Sequence, residues 1–188
     1  MNKLNSRRII KFIFGCLLLV GCGATKTVTN DTLDRMIQQK KFKILVKEVQ
    51  PQITRALAQL GNSGIVRPGS TIGLINVAGD GFFITLDGEM VAANLPYYGE
   101  RQVGGGYNNE NGISFAGNAE NLQITRDEKK NSYQVNFSIQ NKTELFLVSI
   151  YLGASQYSTT QVNSSQRNRI RYNGQVSELN VSDDHINQ

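Results

Sequence analysis

The chain of 188 residues has no tryptophan, one histidine and two cysteines. His185 sits near the C-terminus, and a nucleophile–histidine–carboxylate relay needs its histidine held on a fixed scaffold. Cys16 and Cys22 both precede residue 23. The remainder therefore forms no disulfide, offers no thiolate nucleophile and builds no cysteine metal site. His, Cys and carboxylate groups at zinc-ligand spacing are also missing, so no metal or other cofactor is expected. Glycine is plentiful, but Gly104-Gly105-Gly106-Tyr107 lacks the spacing of a phosphate loop and no helix follows it. Long apolar runs are absent too. Phe12 to Val20 is the longest, and a helix that crosses a bilayer needs about twenty residues.

That short run has a specific setting. Lys3, Arg7, Arg8 and Lys11 precede it, and Leu19-Val20-Gly21-Cys22 ends it. A cationic start, a short apolar segment and a small residue before cysteine form a bacterial lipoprotein signal. An ordinary secretory signal wants an Ala-x-Ala-like site, and none stands near Gly21. Cleavage is expected between Gly21 and Cys22, with lipid (diacylglycerol and palmitate-type acyl chains) on Cys22. Residues 1–21 would leave as the signal peptide, and 22–30 would serve as a tether. No acidic residue appears before Asp31, which favours the periplasmic face; the expected location is the cell envelope, as an outer-membrane lipoprotein.

Removal of the signal changes the charge. The chain has 20 basic and 15 acidic residues, and its first 21 residues hold four of the basic ones and no acid. What remains is 16 against 15. A nucleic-acid footprint requires a basic domain, so no nucleic-acid partner is expected.

Asn30 to Lys41 reads as a helix. Asn30 can cap it, Asp31 and Asp34 suit its N-terminal dipole, and Leu33, Met36 and Ile37 form one apolar stripe. Phe42 to Val49 alternates as a strand. Residues 51–61 fit either a short helix or a twisted continuation of that strand. From Thr71 onward the pattern is β. Phe82, Ile84 and Leu86 alternate before an Asp87-Gly88 hairpin turn, and Met90 to Leu95 returns. Tyr133, Val135, Phe137 and Ile139 mark a half-buried strand, followed by a turn at Asn141-Lys142. Leu145 to Leu152 is apolar on both faces, as in a central or doubly covered strand. Gln156 to Val162 and Asn168 to Tyr172 follow, and Asn173-Gly174 reads as another turn. Short strands about ten residues apart predict a mainly β (α+β) fold. The expected form is a curved antiparallel meander, a lipocalin-like half-barrel or sandwich, with one N-terminal helix. It is a single β-rich domain over 31–176 with a flexible tail at 177–188.

Leu95-Pro96-Tyr97-Tyr98-Gly99 closes the second hairpin strand. Phe82-Phe83-Ile84, Asp87-Gly88-Glu89 and Val91 precede it. Gly112-Ile113-Ser114-Phe115 and Arg169-Ile170-Arg171-Tyr172-Asn173-Gly174 come after it. Over about residues 30 to 176 this text resembles a Bacteroides-type family of envelope lipoproteins, domain-of-unknown-function family 4251. The resemblance implies lipid anchoring and location in the cell envelope, and no reaction.

Two patches are candidates for binding. Tyr97 and Tyr98 are placed to form the aromatic lip of a cavity, with Tyr107 on a glycine-rich flap. Arg167, Arg169 and Arg171 alternate with Ile170 and Tyr172, which puts the arginines on one strand face. Such a face is solvated, guards a sheet edge, or meets an anionic glycan or lipid headgroup. Asp80, Asp87 and Glu89 cluster around a hairpin, where turn chemistry accounts for them. The expected function is a non-catalytic binding or scaffold module whose partner is an envelope protein or a small apolar or glycan ligand. The alternative is a carboxylate-dependent hydrolase of an envelope glycan, which needs two converging carboxyl groups.

Overall fold

In a computed structural model the described residues are 31–55, 58–59, 68–102 and 112–179. The lipobox with Cys22, the tether, Tyr107 and its glycines, and His185 lie outside them. Among the described residues one helix element, α1 (Asp31–Gln38), precedes ten strands. These are β1 (Lys41–Pro51), β2 (Ile75–Asn76), β3 (Phe83–Asp87), β4 (Met90–Pro96) and β5 (Gly112–Asn118), then β6 (Glu120–Asp127), β7 (Ser132–Asn141), β8 (Glu144–Leu152), β9 (Tyr157–Ser164) and β10 (Ile170–Ser177). The fold is mainly β, as the alternation predicts.

All strand pairs are antiparallel. The sheet order is β5-β4-β3-β1-β10-β9-β8-β7-β6, with β2 on β1. The two ends of this order, β5 and β6, are consecutive in sequence and separated only by Ala119. One stretch of chain thus pairs with β4 through its first half and with β7 through its second. That switch curls the sheet into a nearly closed barrel. The Ala119 N–H donates to the Glu89 carbonyl at 2.8 Å, and Asn141 Nδ2 donates to the Ser114 carbonyl at 2.6 Å. Across the same seam the Phe115 ring packs edge-on to Phe137 at 6.3 Å and lies 5.6 Å from Phe146.

The inward positions of every second strand residue fill the barrel. Phe42, Ile44 and Val46 on β1, Ile84 and Leu86 on β3, and all four alternating residues of β7 from Tyr133 to Ile139 are buried. α1 packs its apolar stripe of Leu33, Met36 and Ile37 into the same core. Tyr133 donates its hydroxyl to Asp34 at 2.8 Å, which ties the helix to β7.

Three expectations from the sequence need correction. The two-residue hairpin loops fall one position later than read, at Gly88-Glu89 and Lys142-Thr143, because Asp87 still pairs with Met90 and Asn141 with Glu144. Each loop opens on a residue with positive φ, Gly88 at 65° and Lys142 at 54°. The expectation for β8 holds in its first form: the strand is central, flanked by β7 and β9, and Leu147 on its outer face is 50% exposed. Asn173-Gly174 is no turn and lies inside β10, opposite a β-bulge between Val46 and Glu48. A Cβ at Gly174 would run into the Leu45 carbonyl, so the glycine serves a close strand approach. Finally, Arg167 does not share the outer face with its neighbours and is 6% exposed.

Candidate functional site

The Leu-Pro-Tyr-Tyr-Gly segment leaves β4 and folds across one end of the barrel. Pro96 is buried, and its carbonyl accepts a hydrogen bond from the Tyr172 hydroxyl at 2.9 Å. Tyr97 turns back on itself and donates to the carbonyls of Glu100 at 2.8 Å and Asn168 at 3.1 Å. Gly99 permits this fold, since a Cβ there would stand 2.5 Å from the Tyr97 hydroxyl oxygen. Residues 100–102 then pair with 166–168: Gln102 N–H donates to the Gln166 carbonyl at 2.8 Å, and Asn168 N–H to the Glu100 carbonyl at 3.1 Å.

Beneath this strap lies a buried ion pair. Arg167 donates through Nε to Glu144 Oε1 at 2.8 Å and through Nη2 to Oε2 at 3.2 Å. Its Nη1 donates to the Gly112 carbonyl at 2.7 Å. Ser164 donates its hydroxyl to Glu144, and Arg101 reaches the same carboxylate at 3.7 Å. The Arg167 guanidinium also stands 5.2 Å from the centre of the Tyr97 ring, a cation–π contact. Bidentate pairing of this kind is geometrically specific, and it fixes the strap on the barrel.

This geometry changes the reading of Tyr97 and Tyr98. Both are half-buried and packed against the hydrophobic core, and under Tyr97 lies the Arg167–Glu144 pair. Among the described residues the space beneath this strap holds the Arg167–Glu144 pair and the packed side chains of the core. Two hydroxyls, Ser158 and Thr160, are buried in the barrel wall without a hydrogen-bond partner.

Burial also sets the acidity of these tyrosines. Desolvation pushes Tyr172 well above its ordinary pKa of 10.0, and the neighbouring Tyr97 adds to that rise. Burial likewise raises Tyr97, although the Asn168 backbone and the Arg167 charge oppose it. The unfolded chain loses a tyrosine proton near pH 10, whereas the folded protein keeps it. Stability from Tyr172 is therefore complete below that pH and is lost as the pH climbs toward the folded value, at about 1.4 kcal/mol per pH unit. Urea midpoints measured between about pH 9 and about pH 11 should fall, and Tyr172→Phe should flatten that fall. An equal slope in the variant would remove Tyr172 as its source.

Arg169 and Arg171 are elsewhere, on the outer surface. They share a cleft of about 220 Å³ with Gln50, Gln52 and Gln161. A second outer cleft, about 370 Å³, is lined by Lys47, Glu48, Tyr157, Asn173 and Gln175 among others. In it Lys47 donates to Gln175 at 2.7 Å and Asn173 to Glu48 at 3.2 Å. Asp80, Asp87 and Glu89 are exposed and line neither cleft, and Asp87 pairs with Lys41 at 3.3 Å. No group of three or more potential metal ligands occurs among the described residues. The charge pattern alone could not reveal the Arg167–Glu144 pair; a glutamate opening an otherwise apolar strand was the available hint.

A family model described as a domain of unknown function, DUF4251, matches residues 24–176. Among solved structures, the chain is similar to the crystal structure of a DUF4251 family protein from Bacteroides eggerthii. The TM-score is 0.55 at 14% identity, and the match covers 82% of this chain and 91% of that one. At that identity the likeness is one of fold. No curated protein matches the chain.

Proposed function

Since this chain belongs to the DUF4251 family, a domain of unknown function, we propose a role from its own residues: a lipid-anchored, non-catalytic binding or scaffold module of the cell envelope. The non-catalytic part rests on the fate of Glu144, the one carboxylate buried among the described residues. Both its oxygens are taken up by Arg167, with Ser164 and Arg101 beside them. A general acid or base must be free to exchange a proton with substrate, and this carboxylate is locked. What the fold leaves open to partners is its outer wall.

The anchor rests on Leu19-Val20-Gly21-Cys22 and the basic segment before it. Several acyl chains on Cys22 would bind a membrane firmly, at about 0.8 kcal/mol per buried methylene, and hold the barrel within a short tether of the outer membrane on its periplasmic side. Cys22→Ala should abolish incorporation of a fatty-acid analogue and move the protein from the membrane fraction to the soluble one. Retention of label and of membrane attachment in that variant would overturn the anchor.

A further inference from the structure

Four arginines of the described chain have carboxylate partners: Arg35 with Glu178, Arg101 and Arg167 with Glu144, and Arg126 with Asp34. Arg169 and Arg171 have none. Arg171 makes a single long contact, 3.5 Å to the Gln50 amide oxygen. Both are exposed and line one cleft without an acidic residue. Guarding a sheet edge does not explain Arg171, because β10 is paired on both sides, with β1 and β9. Two like charges placed together without compensation repel, so the arrangement favours an anionic guest.

The registers show what surrounds that charge. Gln50, Arg171, Gln161, Ser149, Asn136 and Gln123 are directly opposite one another on six successive strands. The row crosses the outer wall of the barrel in steps of about 4.8 Å and contains no apolar and no acidic side chain. Amides and a hydroxyl offer donors and acceptors in alternation, at a spacing close to one sugar unit of a chain. In the adjacent row, Tyr151 is exposed between Thr159 and Gln134 and offers a ring face for stacking. A surface for lipid headgroups would instead combine clustered cations with several exposed apolar side chains; beside this row stands one exposed aliphatic side chain, Leu147.

We propose that this face binds an acidic carbohydrate, with carboxylates on Arg169 and Arg171 and hydroxyl groups along the amide row. The planar guanidinium fork matches a carboxylate two bonds at a time. The inference rests on the binding-module reading above and names its ligand class; its failure would leave the Cys22 test of anchoring untouched. The test uses the full chain in detergent, titrated calorimetrically with oligogalacturonate, with neutral maltohexaose and with glycerophosphate in about 0.15 M salt, where long-range attraction is screened. Oligogalacturonate should bind more tightly than the other two. The double variant Arg169→Gln/Arg171→Gln should weaken it tenfold or more at an unchanged urea midpoint. Gln161→Ala/Asn136→Ala should also weaken it, without changing the charge. Lys129→Gln/Lys130→Gln, on the exposed β6–β7 turn, should leave it unchanged. No binding, tighter glycerophosphate binding, or equal loss in the lysine variant would overturn the proposal.

Discussion

Replacing Arg167 with methionine should lower the unfolding free energy by about 3–5 kcal/mol, because it strands the buried Glu144 carboxylate without its counter-charge. Arg101 stands 3.7 Å from that carboxylate and compensates only in part. The loss should also be local. Arg167 holds the Gly112 carbonyl at the start of β5 and underlies the Tyr97 ring. Amide protection at Gln102 and Asn168, which bond across the strap, should therefore fall more than protection in β8. Pairing the change with Glu144→Leu should recover most of the stability, since an apolar pair carries no desolvation cost. Urea unfolding of the two single variants and the double variant checks this. A shift under about 1 kcal/mol for Arg167→Met would show that the pair is solvated and contributes as a surface bridge does.

That ion pair marks the boundary of what the sequence makes legible. A period of two is a local signal, and it placed Tyr133, Val135, Phe137 and Ile139 in the core correctly. The same alternation put Arg169 and Arg171 on one face, and the structure gathers them in one cleft. It failed for Arg167, because residues 166–168 are tied to 100–102 and the alternation of β10 does not reach that segment. Its partner Glu144 is 23 positions away, and nothing local connects the two. Asn173-Gly174 misled for the opposite reason. The pair is turn-like by itself, but its glycine answers to a bulge on β1, a contact between chain segments more than a hundred residues apart. Barrel closure was equally hidden. It depends on one residue, Ala119, separating two strands that pair with opposite ends of the sheet.

Truncation of Phe146 to alanine should test that closure and cost about 3–5 kcal/mol. Phe146 projects inward from β8, is 2% exposed, and meets Phe115 of β5. β5 has a paired neighbour on one side only, β4; on its other side the rings of Phe137 and Phe146 and the Asn141 side chain hold it to the barrel. Loss of the Phe146 ring should therefore release β5 first. Amide exchange over Gly112–Asn118 should accelerate beyond what the global loss of stability accounts for, while β8 and β9 exchange only with global unfolding. Leu152→Ala, at the far end of β8 and equally buried, serves as the control: its cost of about 2–5 kcal/mol should fall on the whole sheet without singling out β5. If both variants loosen β5 alike, the seam is not a separate cooperative unit. The outcome bears on the outer wall as well. Arg171, Gln161, Ser149 and Asn136 align only because their strands follow one continuous curvature, and the Phe115–Phe146 contact is where that curvature closes.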